Sequence, residues 1–365
     1  MIKPLENITV YQNPKPALCN RQAAFPGVIR VSEKELLALF VIGEAFESVD
    51  SRTYISKSSD NGLTWSAPLP LYDQSKQNMP WPVTDCYKPT LLKSGTILAA
   101  GYGFFRKDIS KGISEIAEIS GELPDGANYL TLSHDKGQTW SPPKEISHQF
   151  GRFLEISGPC LETSEGKLII AAPVFTLKKG AQRGVVLEST DEGSCWRHIG
   201  DYNSETNIAA WETRIIETET GTLIALYWAY HIDKQEHLPN QFTYSSDGGK
   251  TWSRPQSTGF MGQASNLISI GSNKILTVHC QRSDNPGIFI RVVDFSGNTW
   301  KVVQEEMVWN GGMIKKKHDT AISKEFAALK FGQPSLLSLS NSEFYLFFWC
   351  TETCMYKIKA IKFSL

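Results

Sequence analysis

The sequence predicts an all-β protein, a six-bladed β-propeller of four-stranded antiparallel blades with repeated aspartate turns. Two repeated patterns predict it. A turn pattern, S-x-D-x-G-x-[TC]-W, occurs at Ser58–Trp65, Ser133–Trp140, Ser189–Trp196 and Ser245–Trp252. A second pattern, two short apolar strands joined by a turn, occurs in six copies along the 365 residues. Self-similarity at a fixed spacing is typical of repeat architectures, and radial repetition of small antiparallel sheets gives a propeller.

The turn motif suits a tight hairpin rather than a reaction centre, because a catalytic residue is needed only once. Its glycine can adopt a positive φ, and its aspartate can accept backbone N–H groups within the turn. Its tryptophan is expected to pack between neighbouring sheets. A calcium loop would need several alternating acids, and each of these turns has one or two.

The strand pairs account for the blades. They begin at Phe25, Lys88, Gly158, Glu212, Gln263 and Gln333. Each unit continues into a third strand, and five continue through an aspartate turn, one of them a worn copy at Val292–Trp300, into a fourth. We expect Asn7–Gln12 to supply the missing strand of the sixth blade, because a closed ring leaves no bare sheet edge. The expected organisation is therefore one domain, residues 1–365, closed by its N-terminal strand. The best helical pattern begins at Lys107, inside a long loop.

Composition excludes several classes of partner. The net charge is −1, which gives no basis for binding nucleic acid or an anionic membrane, and no apolar run is long enough for a membrane span. The seven cysteines have no zinc-like spacing, so we expect reduced, buried thiols, no metal and no cofactor. The first residues lack a signal-peptide pattern, which favours a cytoplasmic protein; a secreted chain trimmed of its signal peptide is the alternative. The oligomeric state is left open.

The turn motif is the Asp-box, or BNR repeat, and the whole chain resembles the sialidase superfamily of six-bladed propellers. The resemblance implies that the Asp-boxes lie on the rim, away from the active site. It also implies that the inner strands line a central channel whose mouth binds a carbohydrate. The substrate-binding candidates that this arrangement brings to the mouth are Arg21, Asp85, Tyr87, Lys88, Arg214, Trp228, Tyr230, His231, His279, Arg282 and Gln333.

The resemblance also implies a set of catalytic residues. Glu212 matches the sialidase glutamate that opens the fourth blade, and it is the first catalytic candidate. The acid/base of the family lies in a loop of the first blade, where this chain has Asp50, Glu44 and Glu47. Phe331 stands where the family has its tyrosine nucleophile, and Ala24 stands at the position of a carboxylate-binding arginine.

We therefore expect a sialidase-like glycoside hydrolase that acts on a glycan, with an acidic glycan favoured, through carboxylate acid/base chemistry. Two alternatives stay open. A polysaccharide lyase acting on uronates would use His231, Tyr230 or His279 as base and Arg282 or Arg214 to neutralise the carboxylate. A non-catalytic carbohydrate-binding propeller would stack sugars on tryptophans, for which the candidates are Trp81, Trp211, Trp228 and Trp349. Glu212 and Arg214, two residues apart on a strand, are expected on one face, where they can form an ion pair.

Overall fold

The structure, a computed structural model, describes residues 1–76, 82–312, 325 and 329–365. Within these residues the chain forms six sheets and very little helix, which confirms the predicted six-bladed, all-β propeller. No helix in the described part is long and apolar enough to cross a membrane.

Each blade is an antiparallel meander whose first strand lies innermost. The first strand of the chain is β1 (Lys3–Gln12). Blade one contains β2 (Gln22–Arg30), β3 (Leu36–Gly43), β4 (Arg52–Ser58) and β5 (Leu69–Pro70). Blade two contains β6 (Val83–Leu91), β7 (Ile97–Phe105), β8 (Gly126–Ser133) and β9 (Lys144–Glu145). Blade three contains β10 (Leu161–Glu162), β11 (Leu168–Pro173), β12 (Gly184–Ser189) and β13 (Arg197–Asn203).

Blade four contains β14 (Ile208–Glu217), β15 (Leu223–His231), β16 (Glu236–His237), β17 (Gln241–Ser245) and β18 (Gln256–Ser257). Blade five contains β19 (Ser265–Ser269), β20 (Lys274–Gln281), β21 (Gly287–Asp294) and β22 (Lys301–Asn310). Blade six contains β23 (Phe331–Ser338), β24 (Glu343–Glu352) and β25 (Met355–Ser364). The helical segments are α1 (Ile113–Ser120), within the segment predicted to be helical, and short 3-10 turns at Gln74–Lys76 and Ser296–Asn298.

The strand β1 completes blade six. It pairs antiparallel with β25, from Lys3 opposite Ser364 to Gln12 opposite Lys357. Val10 and Tyr11 are buried there, in the cluster that joins blade six to blade one. The outer edge of the last blade is thus covered by residues from the other end of the chain.

The Asp-box turns have the predicted hairpin geometry. In the first copy, Thr64 donates its backbone N–H and its hydroxyl to the Asp60 carboxylate, at 2.9 and 2.6 Å. Gly62 has a φ of +91°, as the turn requires. These hydrogen bonds from Thr64, aided by one from Ser58, lower the pKa of Asp60 to about 2. None of the four motif aspartates lines the central cavity described below.

The Asp-box tryptophans join each blade to the one before it. Trp65 of blade one meets Phe347 of blade six edge-on, with ring centroids 5.9 Å apart. Trp252 of blade four meets Tyr202 of blade three at 6.2 Å. The remaining core follows the same plan: among the described residues, the hydrophobic clusters lie between facing sides of neighbouring blades.

The cysteines depart in part from expectation. All seven are free, but Cys19, Cys195 and Cys354 are exposed rather than buried. Cys195 occupies the place in its Asp-box that threonine holds in the other three, so Asp191 accepts only the backbone N–H of that residue, at 2.8 Å.

Replacement of Cys195 by threonine should raise the midpoint of urea denaturation, because the new hydroxyl donates to the Asp191 carboxylate as Thr64 does to Asp60. Cys195→Val is the matched control, with the same shape and no hydroxyl. Hydrogen bonding already lowers the pKa of Asp191. The threonine gain should therefore be complete above the ordinary aspartate range and disappear as pH falls through the folded-state pKa. A gain of equal size in the valine variant would contradict this account.

Closure by β1 can be tested on its two faces. Val10→Ala removes methyl groups from the buried cluster and should lower the free energy of unfolding by about 2 kcal/mol. Leu5→Ala, on the same strand but 42% exposed, should change it by less than about 0.5 kcal/mol. Deletion of residues 1–12 should cost more than either substitution. Equal effects of the two alanine variants in chemical denaturation would show that β1 does not pack as described.

Candidate active site

Three inner strands are bulged at the same end of the channel. The pairing register shifts between Ala24 and Gly27 in β2, between Trp211 and Arg214 in β14, and between Gly332 and Ser335 in β23. Each bulge holds one non-glycine residue at positive φ: Phe25 at +61°, Glu212 at +50° and Gln333 at +40°. Such a conformation costs on the order of 1–3 kcal/mol and is typical of functional sites.

All three bulge residues line one open cavity, which contains about 870 Å³ of space outside the protein atoms. Most of its wall is apolar. The aromatic members are Phe25, Phe46, Tyr102, Phe104, Phe175, Trp211 and Trp228. Helix α1 contributes Ile113, Ser114 and Ala117, so the long loop of blade two forms one side. The polar lining consists of Glu47, Glu155, Glu212, Gln333 and Ser114, and an apolar pocket with a few convergent polar groups is the usual form of a small-molecule site.

Glu212 is half-buried at the base of this cavity. One carboxylate oxygen, Oε1, accepts the side-chain amide of Gln333 at 3.3 Å. The other, Oε2, is fully buried and has no hydrogen-bond partner within the described residues. The bulge also separates the side chains of Glu212 and Arg214, which do not form the expected ion pair. Arg214 donates instead to the main-chain oxygens of Glu212 and Thr213, both at 3.0 Å.

Glu155 lies beside Glu212, just before the inner strand of blade three. Its Oε2 accepts the backbone N–H of Glu212 at 3.2 Å, and 6% of the residue is exposed. Burial raises the pKa of Glu155 well above its ordinary value, and the negative charge of Glu212 raises it further. Both effects favour the protonated form of Glu155. The sequence analysis did not single out Glu155; the available signal was one acid between apolar neighbours, "FLEIS".

Two substrate-binding candidates, Lys88 and Gln333, lie in this network. Lys88 is buried and donates to the side-chain oxygen of Gln333 at 2.6 Å and to the main-chain oxygen of Phe25 at 2.5 Å. Hydrogen bonds thus connect the inner strands of blades one, two, six and four, and through Glu155 they reach blade three.

Arg282 and Trp228 lie on the side of blades four and five. The Arg282 guanidinium donates to the main-chain oxygen of Phe331 at 2.8 Å and to Gln263 at 2.6 Å. It also packs over the rings of Trp228 and Phe331, 5.8 and 5.6 Å from their centroids. Phe331, at the position of the family tyrosine, is fully buried. Burial, the largest cause, lowers the pKa of Arg282.

The first-blade acids are used differently from the prediction. Asp50 and Glu44 are exposed, and Asp50 accepts the backbone N–H of Glu44 at 3.1 Å within its own turn. Neither lines the cavity. Glu47 does, but its carboxylate accepts the backbone N–H and the hydroxyl of Ser114 in the first turn of α1. Orphan N–H groups of a helix N-terminus favour a carboxylate there, so Glu47 acts as the cap of α1.

Three other candidates from blades one and two do not line this cavity, although Asp85 lines a smaller pocket that shares Phe25 and Tyr102 with it. Arg21 is exposed and its nearest polar partner is the Tyr54 hydroxyl, at 3.4 Å. Asp85 is buried and fully engaged: it accepts the backbone N–H of Thr53 at 2.8 Å and the Tyr72 hydroxyl at 2.7 Å. Tyr87 is buried in the cluster between blades one and two. Asp85 and Tyr87 therefore fasten these blades together.

The aromatic and histidine candidates divide in the same way. Tyr230 stacks on Trp211, with centroids 4.9 Å apart, and supports the cavity wall from behind. His231 lies at the end of β15, where its ring accepts the backbone N–H of Lys234. His279 is fully buried in blade five between Phe260 and Phe289, and burial lowers its pKa well below the ordinary value. Trp349 is buried against Tyr356, and Trp81 lies outside the described residues.

The described residues contain no group of three or more His, Cys, Asp or Glu side chains arranged to hold a metal ion. The polar groups of the cavity are carboxyls and one amide, which suit proton transfer and hydrogen bonding to hydroxyl groups.

Comparison with known proteins agrees with this fold. The sequence matches the family model of the BNR repeat-like domain over residues 119–307. None of the curated proteins matches it. A protein of unknown function from Dyadobacter fermentans is 20% identical, with a TM-score of 0.77 over 100% of this chain and 99% of that one.

Two enzymes of known type share the architecture. The Hadza microbial sialidase Hz136 is 16% identical, with a TM-score of 0.67 over 94% of this chain and 66% of its own length. An α-L-arabinanase from Penicillium chrysogenum, complexed with arabinobiose, is 15% identical, with a TM-score of 0.66 over 98% of both chains. The protein described here belongs to the BNR repeat-like domain family, and it shares the six-bladed β-propeller fold of these enzymes.

The contact between Glu155 and Glu212 predicts a coupled titration. Glu212→Gln removes a negative charge and should lower the pKa of Glu155, because the charge of Glu212 is the second cause of its elevation after burial. Infrared titration with ¹³C-labelled glutamate measures this shift, and Glu44→Gln is the control that should leave it unchanged. An unaltered titration of Glu155 in Glu212→Gln would mean that the two carboxyls are not electrostatically coupled.

Proposed function

We propose that this protein is a glycoside hydrolase in which Glu155 and Glu212 are the acid/base pair. The observation that carries the proposal is the asymmetry of these two neighbouring carboxyls in a sugar-sized cavity. Burial and the charge of Glu212 raise the pKa of Glu155 well above its ordinary value. Glu212 is only half-buried, and one of its oxygens has no partner among the described residues. Pairs of carboxyls in unlike environments are typical of glycosidic bond cleavage.

The roles follow from these unlike environments. Glu155, whose pKa is raised, donates its proton to the oxygen of the leaving group as the glycosidic bond breaks. The Glu212 carboxylate either attacks the anomeric carbon or removes a proton from the attacking water. Carboxyls about 5–5.5 Å apart would give retention, and about 6.5–9.5 Å would give inversion. Phe331 has no hydroxyl, so the tyrosine nucleophile of sialidases has no counterpart at that position.

We propose a neutral glycoside rather than the acidic glycan that the sequence favoured. The described cavity lining includes no Lys or Arg side chain, so it offers no cation to bind the carboxylate of an anionic sugar. Arg282 is the nearest predicted carboxylate anchor, and its guanidinium already binds Phe331 and Gln263. Aromatic faces at the wall favour the C–H faces of a neutral ring. The fold shared with an arabinanase is in keeping with this choice.

The lyase alternative loses its proposed bases. His279 is enclosed in blade five and His231 lies at the end of β15, while Tyr230 is buried behind Trp211. Burial raises the pKa of Tyr230 to about 12, which opposes its use as a base. Arg214 donates to main-chain oxygens, as described above.

A panel of neutral aryl glycosides, beginning with the α-L-arabinofuranoside, and of sialosides and uronate oligosaccharides tests the proposal. Glu155→Gln and Glu212→Gln should each lower kcat by about a hundredfold or more on whichever substrate the wild type cleaves. Glu44→Gln and Asp50→Asn are the controls and should keep full activity. The rate should fall as pH rises through the pKa of Glu155, because the acid must be protonated.

The same panel decides against the proposal if it fails. A product with an ultraviolet-absorbing double bond would indicate a lyase. Sugar binding without turnover across the panel would indicate a carbohydrate-binding propeller. Wild-type activity in Glu155→Gln or Glu212→Gln would remove the acid/base assignment even if hydrolysis is found.

A further inference from the structure

Lys88 is an unusual residue for the interior of a propeller channel. It lies on β6 with 2% of its surface exposed. Lysine is rarely buried to this extent, because an ammonium group loses its hydration there. Its three N–H donors are matched by three acceptors: the main-chain oxygens of Phe25 and Pro26, at 2.5 and 3.5 Å, and the side-chain oxygen of Gln333, at 2.6 Å.

Two of the residues that accept hydrogen bonds from Lys88 lie at the bulges that line the cavity. Phe25 and Gln333 both have positive φ, and both line the cavity with Glu212. The Lys88 ammonium group, which belongs to blade two, thus links the strained bulges of blades one and six. The charged and titratable groups that face it are Cys86 on its own strand, and Glu212 and Arg214 on β14.

The hydrogen bond from Lys88 decides which way the Gln333 amide points. An ammonium group has no acceptor, so it binds the amide oxygen and turns the NH₂ group the other way. The NH₂ group then donates to Oε1 of Glu212 at 3.3 Å. With an apolar residue at position 88, the amide orientation would depend on the single 3.3 Å hydrogen bond to Glu212 alone.

We propose that Lys88 is a positioning residue: it fixes the Gln333 amide in the orientation that donates to Oε1 of Glu212, and so it orients the Glu212 carboxylate in the cavity. This rests on the proposed function, in which Glu212 is nucleophile or base. Lys88 itself touches no reacting atom.

A double-mutant cycle tests the inference. Lys88→Met removes the charge and the donor but keeps most of the length, and it should lower kcat by about tenfold or more with little change in KM. In a Gln333→Leu background the same substitution should change kcat by less than about twofold, since the amide through which Lys88 acts is gone.

A second readout does not require activity. Infrared spectra with ¹³C-labelled glutamate show the carboxyl bands, whose positions respond to hydrogen bonding, and the band lost in Glu212→Gln identifies Glu212. This band should shift in Lys88→Met and in Gln333→Met, because the hydrogen bond to Oε1 changes. Lys357→Met is the matched control and should leave the band in place, because Lys357 is also largely buried but pairs with Glu352 in blade six.

The outcomes separate the two proposals. If no glycoside is cleaved but the Glu212 band shifts in Lys88→Met, the proposed function fails and the positioning of Glu212 by Lys88 stands. If the wild type cleaves a glycoside and Lys88→Met loses the same activity in both backgrounds, the inference is wrong, because Lys88 does not act through Gln333. If Lys88→Met does not fold, Gln333→Met must shift the band by itself, and an unshifted band overturns the inference.

Discussion

The hydrogen bond from Lys88 to Gln333 is the contact on which the organisation of the channel depends. It links blade two to blade six at 2.6 Å, and the far side of the Gln333 amide extends the chain to Glu212 of blade four. Glu155 of blade three completes the series through the backbone N–H of Glu212. Inner strands that are distant in sequence are therefore linked by side chains that converge at the channel. These side-chain contacts matter because the sheets of separate blades have no backbone pairing with one another.

The rim and the channel differ in their backbone conformations and in the interactions of their side chains. At the rim, Asp60, Asp135, Asp191 and Asp247 accept short local hydrogen bonds, and the tryptophans pack each blade against the one before it. Around the channel, Phe25, Glu212 and Gln333 have strained backbone conformations, and Lys88 and Glu155 are buried ionisable groups. Strain of this kind persists only where the surrounding structure over-determines it. The hydrogen-bonded turns and packed tryptophans of the rim supply that support. As a result, the carboxyl groups of the cavity have fixed positions.

The sequence was sufficient for the parts of the structure that depend on local, repeated chemistry. The Asp-box turns, the six blades and a helix near Ile113 were predicted because each follows from residues within one turn or one strand pair. Of the candidates that the sequence offered, Glu212 and Gln333 line the cavity, and Lys88 contacts Gln333. Glu155 was not singled out, and Glu47 was offered as an acid, because its role as helix cap depends on how α1 docks. A strand pattern also does not reveal which neighbours enclose a side chain, such as Phe260 and Phe289 around His279.

Neutron diffraction from a crystal exchanged into heavy water near pH 7 tests the central claim most directly. That claim is that Lys88 orients the Gln333 amide, which in turn orients the Glu212 carboxylate. The account predicts an ND₃ group on Lys88 directed at the oxygen of Gln333, and the ND₂ group of Gln333 directed at Oε1 of Glu212. A Gln333 amide in the reverse orientation would contradict it.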